Sequence, residues 1–215
     1  MEIFNNLKEI DNIKELKKNV IVLPKDSGYL IPVSKYFINV KERVEDLTKW
    51  RNINSFAYPT VFKASYDSTL TWLENNLLSN QDKILFFIVD NYENYIGHIG
   101  LHIVSKNPTS IEIDNVSRGS TESKGIMSKS TVELMKWSKE KLGMSNIKLR
   151  VLKSNTNAIK FYENLGFSYL FEEPLYKEEN EDGFVLSTRE ELVGKSHFSE
   201  DIRNPEDYFI TIEYK

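Results

Sequence analysis

The spacing of apolar residues changes several times along the chain, and each change marks an element. Between residues 1 and 18, Ile3, Leu7, Ile10, Ile13 and Leu16 recur at three- and four-residue intervals among charges, which predicts one short amphipathic helix. That helix either packs on its own domain or offers a dimer contact. A short apolar run at 20–23 reads as a strand ended by Pro24, and extended structure resumes at 29–33 after the turn residues Asp26, Ser27 and Gly28. Helical spacing returns at 40–51 with Val44, Leu47 and Trp50, then again from Ser65 to about residue 80 with Leu70, Trp72, Leu73 and Leu77. Two apolar runs, 83–89 and 95–104, flank Asp90-Asn-Tyr-Glu-Asn94 and predict a hairpin. At 110–118 the period becomes two, with Ile111 and Ile113 alternating against Glu112 and Asp114. A helix over 126–142 and a strand over 146–152 follow. In the next helix Ala158, Phe161, Tyr162 and Leu165 share a face, Ser154 and Asn155 are the cap candidates, and Gly166 stands where a left-handed end belongs. The last strands are expected at 169–176 and 207–214, with Phe184, Val185 and Leu186 as a hairpin arm inside a charged insertion at 177–206.

This order predicts an α/β fold: a mixed, mostly antiparallel sheet of about seven strands, with helices on both faces. At 215 residues the chain suits one core with appendages, here an N-terminal appendage over 1–28 and a main domain over 29–215. A net charge of -4 gives no bulk attraction to nucleic acid or to an anionic membrane, so neither is expected as a partner. The absence of cysteine removes disulfides, thiolate metal sites and a thiol nucleophile together. The sequence shows no apolar run of membrane length and no basic start with an apolar core, which reads as a soluble, cytoplasmic protein. Oligomeric state is left open, a homodimer included.

The strand at 110–118 runs into a polar loop that ends at Gly125, where a helix begins. Backbone N–H groups and the positive end of a helix dipole would converge there, which suits a pyrophosphate. Among other chemistries, no nucleophile elbow, Walker loop or dinucleotide fingerprint is present. His98 and His102 are four residues apart, but on a strand that is about 13 Å, too far to share a metal ion, and no metal is expected. His197 reads as solvated.

The run Asn155-Thr-Asn-Ala158-Ile-Lys-Phe-Tyr162-Glu-Asn-Leu-Gly166-Phe167 resembles the Asn-x-x-Ala-x-x-x-Tyr-x-x-x-Gly-Phe motif of the GNAT superfamily of acyl-CoA-dependent N-acetyltransferases. The resemblance implies a V-shaped splay between the strands at 110–118 and 147–152, with acetyl-CoA lying in it. Pantetheine would pair with the backbone of Asn115, Val116, Ser117 and Arg118. Pyrophosphate would lie on Glu122, Ser123, Lys124, Gly125, Ile126 and Met127, and Asn155 and Tyr162 would complete the cofactor site. The family loop reads Gln/Arg-x-x-Gly-x-Gly/Ala, and this chain departs from it with Glu122 first and Met127 last, so Lys124 and Arg118 would supply the positive charge. Tyr162, with an ordinary pKa of about 10, is matched to protonate a departing thiolate. Glu112 and Asp114 are the candidate bases, alongside the reading that they form a solvated strand face.

The acceptor implied is a small-molecule amine, most similar to the nucleotide-linked amino sugars of surface-polysaccharide pathways. That likeness rests on Trp50-Arg51-Asn52, Ile96-Gly-His-Ile-Gly-Leu101, Asn115-Val-Ser-Arg-Gly119 and Lys124-Gly-Ile-Met127. Trp50, Arg51, Tyr58 and His98 are the candidate substrate contacts, with Lys63 nearby in sequence to the stacking and charge they offer. Two alternatives stand beside it: a protein or peptide amino terminus as acceptor, and a non-catalytic module that only binds CoA or a partner. Against the peptide acceptor, relatives resembling the ribosomal-protein acetyltransferases often carry Glu where this chain has Arg150.

Overall fold

The structure, a computed structural model, describes residues 2–103, 109–192 and 204–214. The chain opens with α1 (Glu2–Glu9), α2 (Ile13–Lys18), β1 (Ile21–Val22), β2 (Gly28–Pro32), α3 (Lys35–Ile38) and α4 (Lys41–Ile53). It continues through β3 (Thr60–Phe62), α5 (Tyr66–Trp72), β4 (Lys83–Asp90), β5 (Tyr95–Ile103), β6 (Ser110–Arg118) and α6 (Ile126–Leu142). Then come β7 (Asn146–Leu152), α7 (Thr156–Glu163), β8 (Phe167–Asn180), β9 (Gly183–Thr188), α8 (Arg189–Leu192) and β10 (Asp207–Tyr214). These divide into two compact units, Met1–Ile53 with Ala64–Ile147, and Asn54–Lys63 with Lys148–Lys215.

In the first unit β1, β2, β4, β5 and β6 pair antiparallel in that order. β4 is the central strand and is buried along nearly its whole length. Its alternate residues serve opposite faces, as a period of two requires. Leu85, Phe87 and Val89 enter a core with Leu16, Phe37, Val44, Leu47, Trp50, Leu73 and Leu77 from the helices. Phe86 faces the other way, edge-on to Trp137 of α6 at 5.7 Å. Helices therefore cover both faces of a largely antiparallel sheet, as the sequence pattern predicts.

The second unit is a smaller antiparallel sheet in which β10 lies between β7 and β8, and β9 between β8 and β3. Its core is Leu152, Leu175, Leu186 and Phe209 with Phe184 against them. The hairpin arm expected at Phe184–Leu186 is present: β8 runs on to Asn180 and returns as β9, with Lys177 lying over the Phe184 ring. The strand count among the described residues is ten, where about seven are expected in the main sheet: β1 and β9 are the short strand and the arm read beside that sheet, and β3 is the addition. His197 and the remainder of the insertion from 193 to 203 lie outside the described residues.

The single helix expected over 1–18 is also corrected. Asn12 breaks it, its side-chain oxygen accepting the Glu15 N–H at 2.9 Å and capping α2.

Candidate functional site

The site is built on the far half of β6. Register runs from Gly100 opposite Asp114 to His98 opposite Ser117, so Ile99 faces two residues, Asn115 and Val116. That extra residue makes a β-bulge, and Asn115 takes a left-handed φ of 48° there, a conformation asparagine tolerates better than most residues. Asp114 holds the distorted backbone. One carboxylate oxygen accepts the Asn115 N–H at 2.8 Å, and the other accepts its side-chain amide at 2.9 Å while lying 3.5 Å from Lys83 Nζ.

The Asn115 carbonyl is met by His98, whose Nδ1 lies 2.6 Å away. A carbonyl only accepts, so Nδ1 carries the proton and Nε2 keeps its lone pair in the neutral ring. Burial pushes the His98 pKa down to about 4, with the carbonyl and the Asp114 charge opposing it in part. The ring is neutral at physiological pH. Trp50 lies against it, ring centres 6.0 Å apart and tilted by 32°.

Beyond the bulge, Arg118 organises the loop. Its guanidinium donates to the carbonyls of Ser120 at 2.6 Å, Thr121 at 2.9 Å and Glu122 at 2.8 Å. In a trans peptide the next N–H points opposite to the carbonyl, so the N–H groups of residues 121 to 123 turn away from the guanidinium. Gly119 and Ser120 donate to the Ile96 carbonyl, which fastens the loop to β5. Ser123, at a left-handed φ of 56°, donates to the buried Asp90 carboxylate at 2.7 Å. Burial alone would push Asp90 up, but hydrogen bonds from Ser123, Asn94 and Tyr92 outweigh it and hold the carboxyl below the ordinary carboxylate range.

The loop delivers Gly125, at φ 81°, as the residue before α6. No side chain caps the helix, and no acidic residue occupies its first turn. A 17-residue helix thus begins with its dipole end and first-turn N–H groups uncovered by side chains. Both departures from the family loop pattern have local explanations. Met127 is only 8 % exposed, so its side chain packs inward and leaves the backbone in place. Glu122 is engaged through its carbonyl by Arg118, and it lines a polar cavity of about 320 Å³ with Arg43, Asp46, Glu93 and Tyr95.

The other predicted residues fall as follows. Glu112 stands on the same face of β6 as Asp114, half-buried and opposite His102. Trp50 is 3 % exposed, and its indole covers Gly119, where a Cβ would lie 1.9 Å from Nε1. It is a core residue, not an open stacking surface. Arg51 is half-buried at the end of α4, and Lys124 is exposed. In the second unit, Asn155 Oδ1 accepts the Ala158 N–H at 3.2 Å and caps α7. Tyr162 is 5 % exposed, edge-on to Phe161 and Phe167 at 5.0 and 5.6 Å. Tyr58 belongs to that unit too, just before β3.

Sequence reasoning passed over Asp90, read only as a hairpin turn, and did not foresee that Arg118, expected to supply positive charge with Lys124, directs Nε and Nη2 to the loop carbonyls. Neither partnership leaves a local signal, since Asp90 and Ser123 are 33 residues apart.

The family described as "Acetyltransferase (GNAT) domain" has a model that matches residues 39–168, more than half of the chain. No curated protein matches the sequence. Three solved structures share its fold at low identity. Spermidine N-acetyltransferase from Vibrio cholerae is 19 % identical with a TM-score of 0.57, over 86 % of this chain and 92 % of that one. FdhC, described as a nucleotide-linked sugar GNAT, is 18 % identical with a TM-score of 0.56, over 77 % and 88 %. RimL, a ribosomal L7/L12 alpha-N-protein acetyltransferase, is 11 % identical with a TM-score of 0.63, over 90 % and 92 %.

Proposed function

This chain belongs to the GNAT acetyltransferase family, an enzyme moving an acetyl group from acetyl-CoA to an amine, and from that premise we propose where it binds acetyl-CoA and which amine it uses. The cofactor's pyrophosphate is held by backbone N–H groups from Ser123 to Gly125 and from the first turn of α6 after Ile126, since the Glu122 and Ile126 N–H groups donate to Ser120 Oγ and the Ser123 carbonyl. The single observation that carries this is the uncapped start of α6, with three preceding carbonyls drawn onto Arg118. Pantetheine pairs with the backbone of Asn115 to Arg118, the stretch of β6 that starts at the bulge of Asn115 and Val116 and ends with Ser117 and Arg118 opposite His98 and Gly97 of β5.

When bound, acetyl-CoA supplies the thioester that a neutral amine attacks. Glu112 and Asp114 are the carboxylates for the amine proton. We take Glu112 as the base, directly or through a water, with Asp114, which also holds Lys83 and both N–H groups of Asn115, as the second candidate. Tyr162 is the proposed acid for the departing thiolate, its phenol O–H donating the proton that the leaving sulfur takes up. Glu112→Gln and Tyr162→Phe should each lower kcat by about a hundredfold with little change in acetyl-CoA affinity, as steady-state kinetics and calorimetric titration would read. Unchanged kcat in either variant removes that residue from its role.

For the acceptor we propose the amine of a nucleotide-linked amino sugar. Support comes from the sequence stretches around Trp50, His98 and Asn115, together with FdhC among the structures of like fold. Arg51 and Tyr58 are the proposed contacts for the nucleotide part. Thiol release from acetyl-CoA should be measured against nucleotide-linked amino sugars, spermidine and peptides with free amino termini. Acetylation of the peptides or spermidine with every nucleotide-linked sugar left untouched would overturn this acceptor.

A further inference from the structure

We propose that His98 is a positioning residue, whose Nδ1–H holds the Asn115 carbonyl and so fixes the bulge that presents the backbone of β6 to the cofactor. This inference rests on the reading that acetyl-CoA lies along β6. A left-handed residue inside a strand turns its carbonyl out of the ladder, and a buried carbonyl needs a donor from somewhere. His98 is the diagonal neighbour two positions from its own register partner, Ser117, which puts its ring on the face the Asn115 carbonyl turns to. The 2.6 Å contact satisfies that carbonyl.

The ring itself is fixed from the other side. Trp50 packs against it and also lies edge-on to Phe87 at 6.1 Å, and Phe87 is the residue opposite His98 on β4. The same indole sits on Gly119, one residue past the end of β6. Both ends of the Asn115–Gly119 stretch are therefore referred to a single buried pair, Trp50 and His98. With burial holding the ring neutral, its one proton stays on the nitrogen that faces the carbonyl. A contact to substrate or a base role would instead run through Nε2, which makes the two roles separable by side-chain geometry.

Asparagine places an N–H near the position of Nδ1, and glutamine places one near that of Nε2. Positioning predicts that His98→Leu and His98→Gln raise the acetyl-CoA KM by about tenfold while kcat changes by less than about threefold, and that His98→Asn restores KM to near the wild-type value. Rescue by glutamine and not by asparagine would overturn it. So would wild-type KM in all three variants together with unchanged hydrogen exchange at the Asn115 and Val116 amides. The unmutated protein gives an independent reading through the long-range ¹⁵N–¹H spectrum of its histidines: His98 should be the neutral Nδ1–H tautomer at pH 7, and an Nε2–H tautomer rejects the clamp even if a variant fails to fold. Hydrogen exchange at the Asn115 and Val116 amides separates this from the cofactor reading. Faster exchange in His98→Leu with unchanged acetyl-CoA binding retains the clamp and discards the cofactor's place along β6; unchanged exchange discards the clamp.

Discussion

His98 makes the stability of the fold depend on pH. Its folded pKa is about 4, against an ordinary value near 6.5, so the unfolded chain takes up the proton first. Stability is full above about pH 6.5, falls as pH drops toward 4, and levels off below that. The loss is bounded near 3 kcal/mol by the pKa difference, about 1.4 kcal/mol per pKa unit. Urea midpoints should fall between pH 7 and pH 5 in the wild type and fall less in His98→Asn, which has no proton to gain. Equal slopes would show that other groups set the pH dependence in that range. Gly119 gives a second test at the same scale. Alanine there drives a Cβ into the Trp50 indole, and because Trp50 is wedged against Phe87 and His98, about 1–3 kcal/mol should be lost in chemical denaturation. Neither effect can be read from residue type. Trp50-Arg51-Asn52 looked like a substrate contact in the sequence because an indole near a helix end serves binding or packing equally well, and only the glycine 69 residues later decides between them.

Among the elements, the start of α6 ties local structure most directly to function. Gly125 is at φ 81° with nothing within 4 Å of its missing Cβ, so the conformation and not crowding demands glycine. Gly125→Val should cost about 1–2 kcal/mol of stability and re-aim the first-turn N–H groups, raising the acetyl-CoA KM much more than that of the acceptor. A KM change confined to the acceptor would move the phosphate seat elsewhere. This element was legible in the sequence because its signals are local: a polar loop, a glycine, then seventeen residues of helical spacing. Elements set by distant partners were not. The carbonyl of Leu77, in the π-helical turn Leu73–Leu78 that prolongs α5, and that of Asn80 just beyond it receive the buried Lys8 ammonium from α1. Lys8 in the sequence is simply one charge on an amphipathic stretch. The break at Asn12 was available, since Asn followed three residues later by Glu is a helix-start pattern, but the continuous apolar spacing over 1–18 concealed it.

For the whole molecule, the period of the apolar residues conveyed the layered antiparallel architecture, while the division into two units is not written in any one stretch. Residues 54–63 sit between two helices of the first unit in sequence but join the second, pairing Thr60 with Val185 and Phe62 with Gly183 across more than a hundred residues. Division into units also shapes how ligand binding should register. A ligand that binds only the native state stabilises it by mass action, about 2.7 kcal/mol at a hundred times Kd. For a cooperative unit of this size that is roughly 6 °C in Tm, and should the units melt separately, the transition containing β6 and α6 should move. The proposed seat divides that gain between two chemistries, backbone pairing along Asn115 to Arg118 for the pantetheine and N–H groups at the start of α6 for the phosphates. Acetyl-CoA should therefore raise Tm clearly, acetyl-pantetheine without the nucleotide should raise it far less at the same concentration, and Gly125→Val should bring the two ligands close together. Equal shifts from both ligands in the wild type would mean that the α6 terminus holds no phosphate, leaving the left-handed Ser123 and Gly125 as features of loop folding alone.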